Sequence, residues 1–250
     1  MKLIRFEFEN VIHWGILEDR LVRVVTLPNL EETGVVHETA YLNIIVPAAP
    51  SKIVCVGKNY AAHAAEMGGE VPPEPGLFLK GPNTLALHKS TIAYPAWTDN
   101  FHFEGELGLV MKSRASKVSE HDALSHVLGY TCAIDLTARD KQKSDLQWFR
   151  AKGADNFLPF GPHLETDLDP SQSRVTTRIN GEIRQDSATS NMIYSVPFVI
   201  SYVSQFMTLE AGDVIITGTP EGVGALNSGD HIELTVAGIG ILETHIGDRA

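Results

Sequence analysis

The sequence is poor in cysteine, in basic runs and in long apolar stretches, and each shortage excludes something. Cys55 and Cys132 are its only two cysteines, each inside a short apolar run. That rules out a disulfide framework and points to buried thiols in a reducing, cytoplasmic setting. No basic tract interrupts a formal net charge of −11, which argues against nucleic acid and anionic membranes as partners. Small anionic substrates are compatible with that charge, because a bound metal and a few Lys or Arg residues dominate their own neighbourhood. No run approaches membrane-spanning length, and MKLIRFEFEN has no signal-peptide core. Two glycine-rich stretches are not nucleotide motifs. ITGTPEGVG lacks the G-K-[ST] ending of a P-loop, and AGIG reads as a hairpin turn.

What is present is mostly strand and turn. IRFEF, HWGIL and LVRVVTL read as short strands separated by polar turns. Val46-Pro47-Ala48-Ala49-Pro50-Ser51 reads as a linker, since proline continues neither ladder nor helix. The division is a small N-terminal β domain over residues 1–46 and a main domain over 51–250. In the latter, KIVCVG reads as a buried strand, followed by a helical tilt in NYAAHAAEMG and a Pro-rich loop, Glu70 to Gly76, with the capacity of a lid. Ser119 is placed as the cap of a short helix stopped by Gly129. Ser195 is placed as the cap of another, whose buried face runs Val196, Val199, Ile200, Val203, Phe206 and Met207. The fold class is β-rich α+β with peripheral helices.

Three acids carry the most chemistry. Glu104 and Glu106 lie two apart in FHFEGELGLV, so on a strand both carboxylates face one side. Like charges held together in an apolar run repel and resist desolvation unless a cation neutralises them. Asp135 ends the run YTCAID and completes an all-oxygen set suited to a hard cation such as Mg²⁺ or Mn²⁺. Against this stands the plain alternative of a solvated strand face. A rival set adds His102, two before Glu104, which would suit zinc or iron.

His63 and Glu66 stand three apart on the predicted helix and share a face, an arrangement that suits a general base. Arg139 and Gln142 follow Asp135 at helical spacing; the first could clamp a substrate carboxylate and the second donate to an oxyanion, or they are solvated loop residues. Lys152 in AKGAD has apolar neighbours on both sides, so it either snorkels or is catalytic. Thr217 and Thr219 could offer hydroxyls at the end of DVIITG.

VGKNYAAHAAEMG, FEGELGLV, GYTCAIDLTARDKQ, AKGADNFLPFGP, NGEIRQDSATSNMI and LEAGDVIITGTPEGVG together resemble the fumarylacetoacetate hydrolase family in order and spacing. The resemblance runs from Ile53 to the C-terminus, and the leading segment resembles the small β domain of many bacterial members. It implies a mixed β-roll catalytic domain, a homodimer, and Mg²⁺ or Mn²⁺ bound by Glu104, Glu106 and Asp135. It further implies His63 and Glu66 as a water-activating dyad, Lys152 near the metal, and Arg139, Gln142 and Thr217 at the substrate, with Thr219 close enough to compete for the last role. Two positions depart from the family pattern: Ile134 where Asn is common, and His102 where Asp is common. The activity implied is cleavage of a C–C bond in an acylpyruvate-like 1,3-diketo or 2-oxo acid through a metal-stabilised enolate, as in aromatic-compound catabolism. The alternative is an isomerase or decarboxylase of the 2-hydroxyhepta-2,4-diene-1,7-dioate or 5-oxopent-3-ene-1,2,5-tricarboxylate type, or an oxaloacetate decarboxylase.

Overall fold

Two antiparallel strands, Gly105–Met111 and Val127–Ile134, form the centre of a 12-stranded sheet. Their residues alternate between two cores, as a pleated strand buried on both faces must. Leu107, Leu109, Met111, Cys132 and Ile134 enter a core of 33 buried residues, while Val110 and Ala133 face a second core of 14. The larger core is closed by the inner face of a five-stranded sheet, to which Val175, Ile232, Leu234 and Leu242 contribute. A three-stranded sheet, Thr137–Ala138, Phe101–Phe103 and Gly224–Ala225, covers one end. The computed structural model describes residues 1–250, and no helix in it is long and apolar enough to cross a membrane. The strand-rich architecture with short helices is the one expected.

The N-terminal strands Lys2–Phe8, Val11–Glu18, Leu21–Thr26 and Glu31–Glu38 extend the large sheet, because Lys2 and Leu3 pair with Glu165 and Leu164. Ile4, Phe6, Val22 and Val24 form a small core of their own, whereas Leu3, Ile16 and Val25 join the 14-residue core. Residues 46–51 contain no helix or strand.

Two helix expectations need correction. The Ser119 cap is real, with its hydroxyl accepting from Asp122 N–H at 3.2 Å, but the helix spans only Glu120–Ala123 before a tight turn. Gly129 lies within a strand, where a Cβ would meet Leu164 Cβ at 3.0 Å. It therefore serves close strand packing, not helix termination. The second helix spans Val196–Ser204, capped by Ser195, and buries Val196, Val199, Ile200 and Val203. Phe206 lies beyond its end and is 62% exposed.

Several strand ends meet at one place. Ile53–Gly57 and Val214–Ile216 run parallel and finish together beside the start of Gly105–Met111. The antiparallel ladder between Gly105–Met111 and Val127–Ile134 continues one step further, with Asp135 N–H donating to Glu104 O at 2.8 Å.

Candidate active site

That last ladder step places Asp135 opposite Glu104, and residues directly opposite in antiparallel strands share a face. Glu106 shares it by alternation. One carboxylate oxygen from each of Glu104, Glu106 and Asp135 lies within 4.8 Å of the others, and all three residues are buried. His102 is not among them. It belongs to Phe101–Phe103, a strand of a different sheet, and the chain changes sheets at Glu104, which breaks the alternation on which the zinc set relied. Its Nε2 contacts Asn100 Oδ1 at 2.7 Å, and burial followed by the Arg139 charge pushes its pKa down to about 4.

The acids divide by their surroundings. Glu104 Oε1 accepts from Arg139 Nη2 at 2.5 Å, and its Oε2 from Lys152 Nζ at 2.8 Å. Burial works to raise its pKa, but Lys152 and Arg139 prevail and hold it well below the usual carboxylate range. Glu106 has a single donor, Gly218 N–H at 2.6 Å. Burial, then the charges of Asp135 and Glu104, push its pKa well above normal. Asp135 Oδ2 accepts from Lys152 Nζ at 2.6 Å. Burial opposes the charge of Lys152, but Asp135 and Glu104 outweigh it and hold the ammonium above its usual pKa.

Lys80 was not singled out from the sequence, because its partners lie 56 to 77 residues away. Its buried ammonium donates to the carbonyls of Leu136 (3.3 Å), Lys152 (2.5 Å) and Phe157 (3.0 Å). An ammonium has three protons, so none remains for Asp135 Oδ1, 2.8 Å away. Asp135 Oδ1 is thus a buried oxygen with no hydrogen-bond donor. An unpaired carboxylate oxygen beside a carboxyl whose pKa is pushed up by burial and by neighbouring negative charge is an arrangement that a cation would relieve. Three oxygen donors suit a hard divalent one.

A cavity of about 270 Å³ opens beside Glu104. His63, Arg139, Gln142, Lys152 and Thr219 line it. His63 sits on the helix Ala61–Glu66, its Nδ1 3.1 Å from Glu66 Oε2, while Glu66 Oε1 accepts from Gly222 N–H at 3.0 Å. Glu66 is therefore fixed at both oxygens, and Nε2 is left as the imidazole atom available to a substrate. Arg139 Nη1 donates to Gln142 Oε1 at 2.7 Å, so the Gln142 amide nitrogen remains to donate. Thr217 is buried and donates to Leu107 O at 2.9 Å, away from the cavity. Thr219, two residues on, does line it, and donates to Gly105 O at 2.9 Å. Of the two threonines the sequence left in competition, the cavity contains Thr219. The loop between this helix and the next strand is tied down by Tyr194, whose hydroxyl donates to Pro72 O at 2.6 Å.

A buried all-oxygen triad of acids beside a His–Glu pair, opening onto a cavity at converging strand ends, is the arrangement of an enzyme active site. Residues 52–247 match the family model described as Fumarylacetoacetate (FAA) hydrolase C-terminal. The chain belongs to the fumarylacetoacetate hydrolase family. It is 42% identical over 219 residues to oxaloacetate tautomerase YisK of Bacillus subtilis, covering 82% of this chain and 73% of that one. Its structure resembles 5-carboxymethyl-2-hydroxymuconate delta-isomerase from Mycobacterium smegmatis with a TM-score of 0.92 and 38% identity, over 100% of both chains. It also resembles fumarylpyruvate hydrolase from Pseudomonas aeruginosa, solved with Mn²⁺ and pyruvate, with a TM-score of 0.77 and 32% identity over 81% of this chain and 91% of the other.

Proposed function

We propose that this enzyme interconverts the keto and enol forms of a small 2-oxo dicarboxylic acid of the oxaloacetate type. The observation that carries the reading is the buried triad Glu104, Glu106 and Asp135, with its undonated Asp135 Oδ1, opening onto a cavity that also holds the His63–Glu66 pair. The tautomerase and isomerase names of the relatives support it. Glu104, Glu106 and Asp135 would hold Mg²⁺ or Mn²⁺, which when bound supplies Lewis-acid stabilisation of negative charge on the substrate. In the reaction the C–H bond beside the carbonyl breaks, its electron pair forms the C=C bond, and the carbonyl oxygen gains a proton. His63 Nε2 takes and returns that proton, and Glu66 holds the ring through Nδ1. Lys152 and Arg139 surround the acids with fixed positive charge, and the Gln142 amide orients the substrate.

C–C hydrolysis of an acylpyruvate is the second reading. The same His63–Glu66 pair can activate water, and the likeness to fumarylpyruvate hydrolase favours it. It takes second place because the oxaloacetate tautomerases match this chain at 42–44% identity, against 32–36% for the solved hydrolases. The domain division at 1–46 and 51–250 and assembly as a homodimer belong to the same reading. Leu146 and Phe149, 96% and 80% exposed, stand beside the edge strand Gly76–Lys80, a face suited to a second copy.

The test is the absorbance decay of enol-oxaloacetate with purified protein, run beside acylpyruvate cleavage. Acceleration that requires Mg²⁺ or Mn²⁺ and disappears in Asp135→Asn is expected. No metal-dependent acceleration of either reaction would overturn the reading.

A further inference from the structure

Four cations line the cavity, and they fall into two pairs. Arg139 and Lys152 are committed, at 2.5 and 2.8 Å, to Glu104. Lys58 and Lys143 line the same cavity without a carboxylate at ion-pair distance. In a chain of net charge −11, two unneutralised ammonium groups facing one small cavity call for an anion.

The backbone holds Lys58 there at a cost. Its φ is +55°, a left-handed conformation that residues with a Cβ avoid. The next residue locks it: Asn59 Nδ2 donates to Thr217 O at 2.7 Å and to Tyr194 O at 3.0 Å, and Asn59 Oδ1 accepts from Tyr194 N–H at 2.8 Å. Gly69 leaves space for the ammonium, since a Cβ at that position would stand 2.7 Å from Lys58 Nζ. Lys143 lies one helical turn after Arg139 on the helix Arg139–Ser144, so the two share a face. Arg139 reaches inward to Glu104, and Lys143, which is exposed, marks the outer end of the cavity.

We propose that Lys58 and Lys143 form a subsite for a second carboxylate. The substrate is then a dianion, with its 2-oxo acid end at the Glu104–Glu106–Asp135 triad and its far carboxylate between the two lysines. This rests on the reading of the triad as the anchor for a 2-oxo acid. Lysine suits the outer position because a mobile point charge accepts diacids of more than one length, which the planar fork of arginine does less readily.

The experiment is calorimetric titration of the Mg²⁺-loaded protein with three ligands. Oxalate tests the triad end alone, while 2-oxovalerate and 2-oxoglutarate have equal chain length and differ by the far carboxylate. Oxalate should bind, and 2-oxoglutarate should bind about tenfold tighter than 2-oxovalerate, the worth of one charged hydrogen-bonding contact. Lys58→Met and Lys143→Met should each remove most of that preference and leave oxalate binding intact, and added salt should shrink it in the wild type. Because Lys143 is exposed, its variant tests the subsite even if Lys58→Met folds poorly. Equal binding of the two five-carbon acids, or parallel weakening of oxalate in the Lys143 variant, would overturn the subsite while leaving the triad reading in place. Failure of oxalate to bind would overturn both.

Discussion

The Lys80 ammonium lies 2.8 Å from Asp135 Oδ1 and gives its protons elsewhere, to the carbonyls of Leu136, Lys152 and Phe157. Asp135 thus feels a full positive charge but keeps one oxygen undonated. A charge at that distance compensates the burial of Asp135, and the undonated oxygen remains able to serve as a ligand. Replacing Lys80 by Met should leave the buried carbonyls of Leu136 and Lys152 unpaired and remove one of the two ammonium groups beside Asp135. A loss of about 3–5 kcal/mol is expected from breaking a buried ionic contact, read from urea denaturation by circular dichroism. A loss within experimental error would show that these contacts are dispensable.

Glu106 and Glu104 make opposite contributions to stability against pH. Glu106 has its folded pKa raised above the ordinary 4.5. Its contribution is present below that value and is lost as pH rises through the raised one. Glu104 has its pKa lowered, so its contribution is present above 4.5 and is lost as pH falls below it. The metal-free protein should therefore gain stability in Glu106→Gln at neutral pH, while the wild type gains it on adding Mg²⁺. Calorimetry in two buffers of different ionisation enthalpy should detect proton release on Mg²⁺ binding that grows as the pH is lowered, and Glu106→Gln should abolish that release. Proton-independent binding in the wild type would contradict the raised pKa.

His63→Ala should separate proton transfer from binding. The rate of oxaloacetate tautomerisation should fall by ~10²–10⁴, the usual worth of a general base, while affinities for Mg²⁺ and oxalate stay unchanged. Glu66→Gln should give a smaller loss, because it orients the imidazole without touching the substrate. An unchanged rate in His63→Ala would remove His63 from the proposed mechanism.

Self-association should depend on the exposed apolar face beside Gly76–Lys80. Light scattering coupled to size exclusion should report a dimer for the wild type and a shift towards monomer for Phe149→Asp, whose side chain is 80% exposed and makes no core contact to lose. A monomeric wild type would remove the homodimer from the proposal.

Much of the site is legible in the sequence, since its signals are local. Two-residue spacing put Glu104 and Glu106 on one face, and three-residue spacing put His63 against Glu66, where the structure has them 3.1 Å apart. Burial of both cysteines followed from their apolar runs, and the Cys132 thiol is pushed up to about 12, chiefly by that burial. The alternation rule failed for His102 for a reason no local pattern carries: the chain leaves one sheet for another at Glu104. The helix-stop reading of Gly129 failed for a similar reason, since its missing Cβ answers to Leu164 on a neighbouring strand and not to a helix end.

What the sequence by itself determined is the set of ionisable groups and the short-range spacing that pairs them: the acids, the His–Glu helix, the turns and the strand-rich class. These depend on backbone periods of two and 3.6 residues, which a linear reading resolves. Tertiary structure alone decided which distant groups neutralise which. The ladder register set Asp135 opposite Glu104, the parallel strands Ile53–Gly57 and Val214–Ile216 brought Gly218 N–H to Glu106, and the edge strand delivered Lys80 to Asp135. It also left Lys58 and Lys143 unpaired at the cavity while Arg139 and Lys152 were matched with Glu104. Coulomb interactions between buried groups depend on distance and burial, and neither is set until the sheets close.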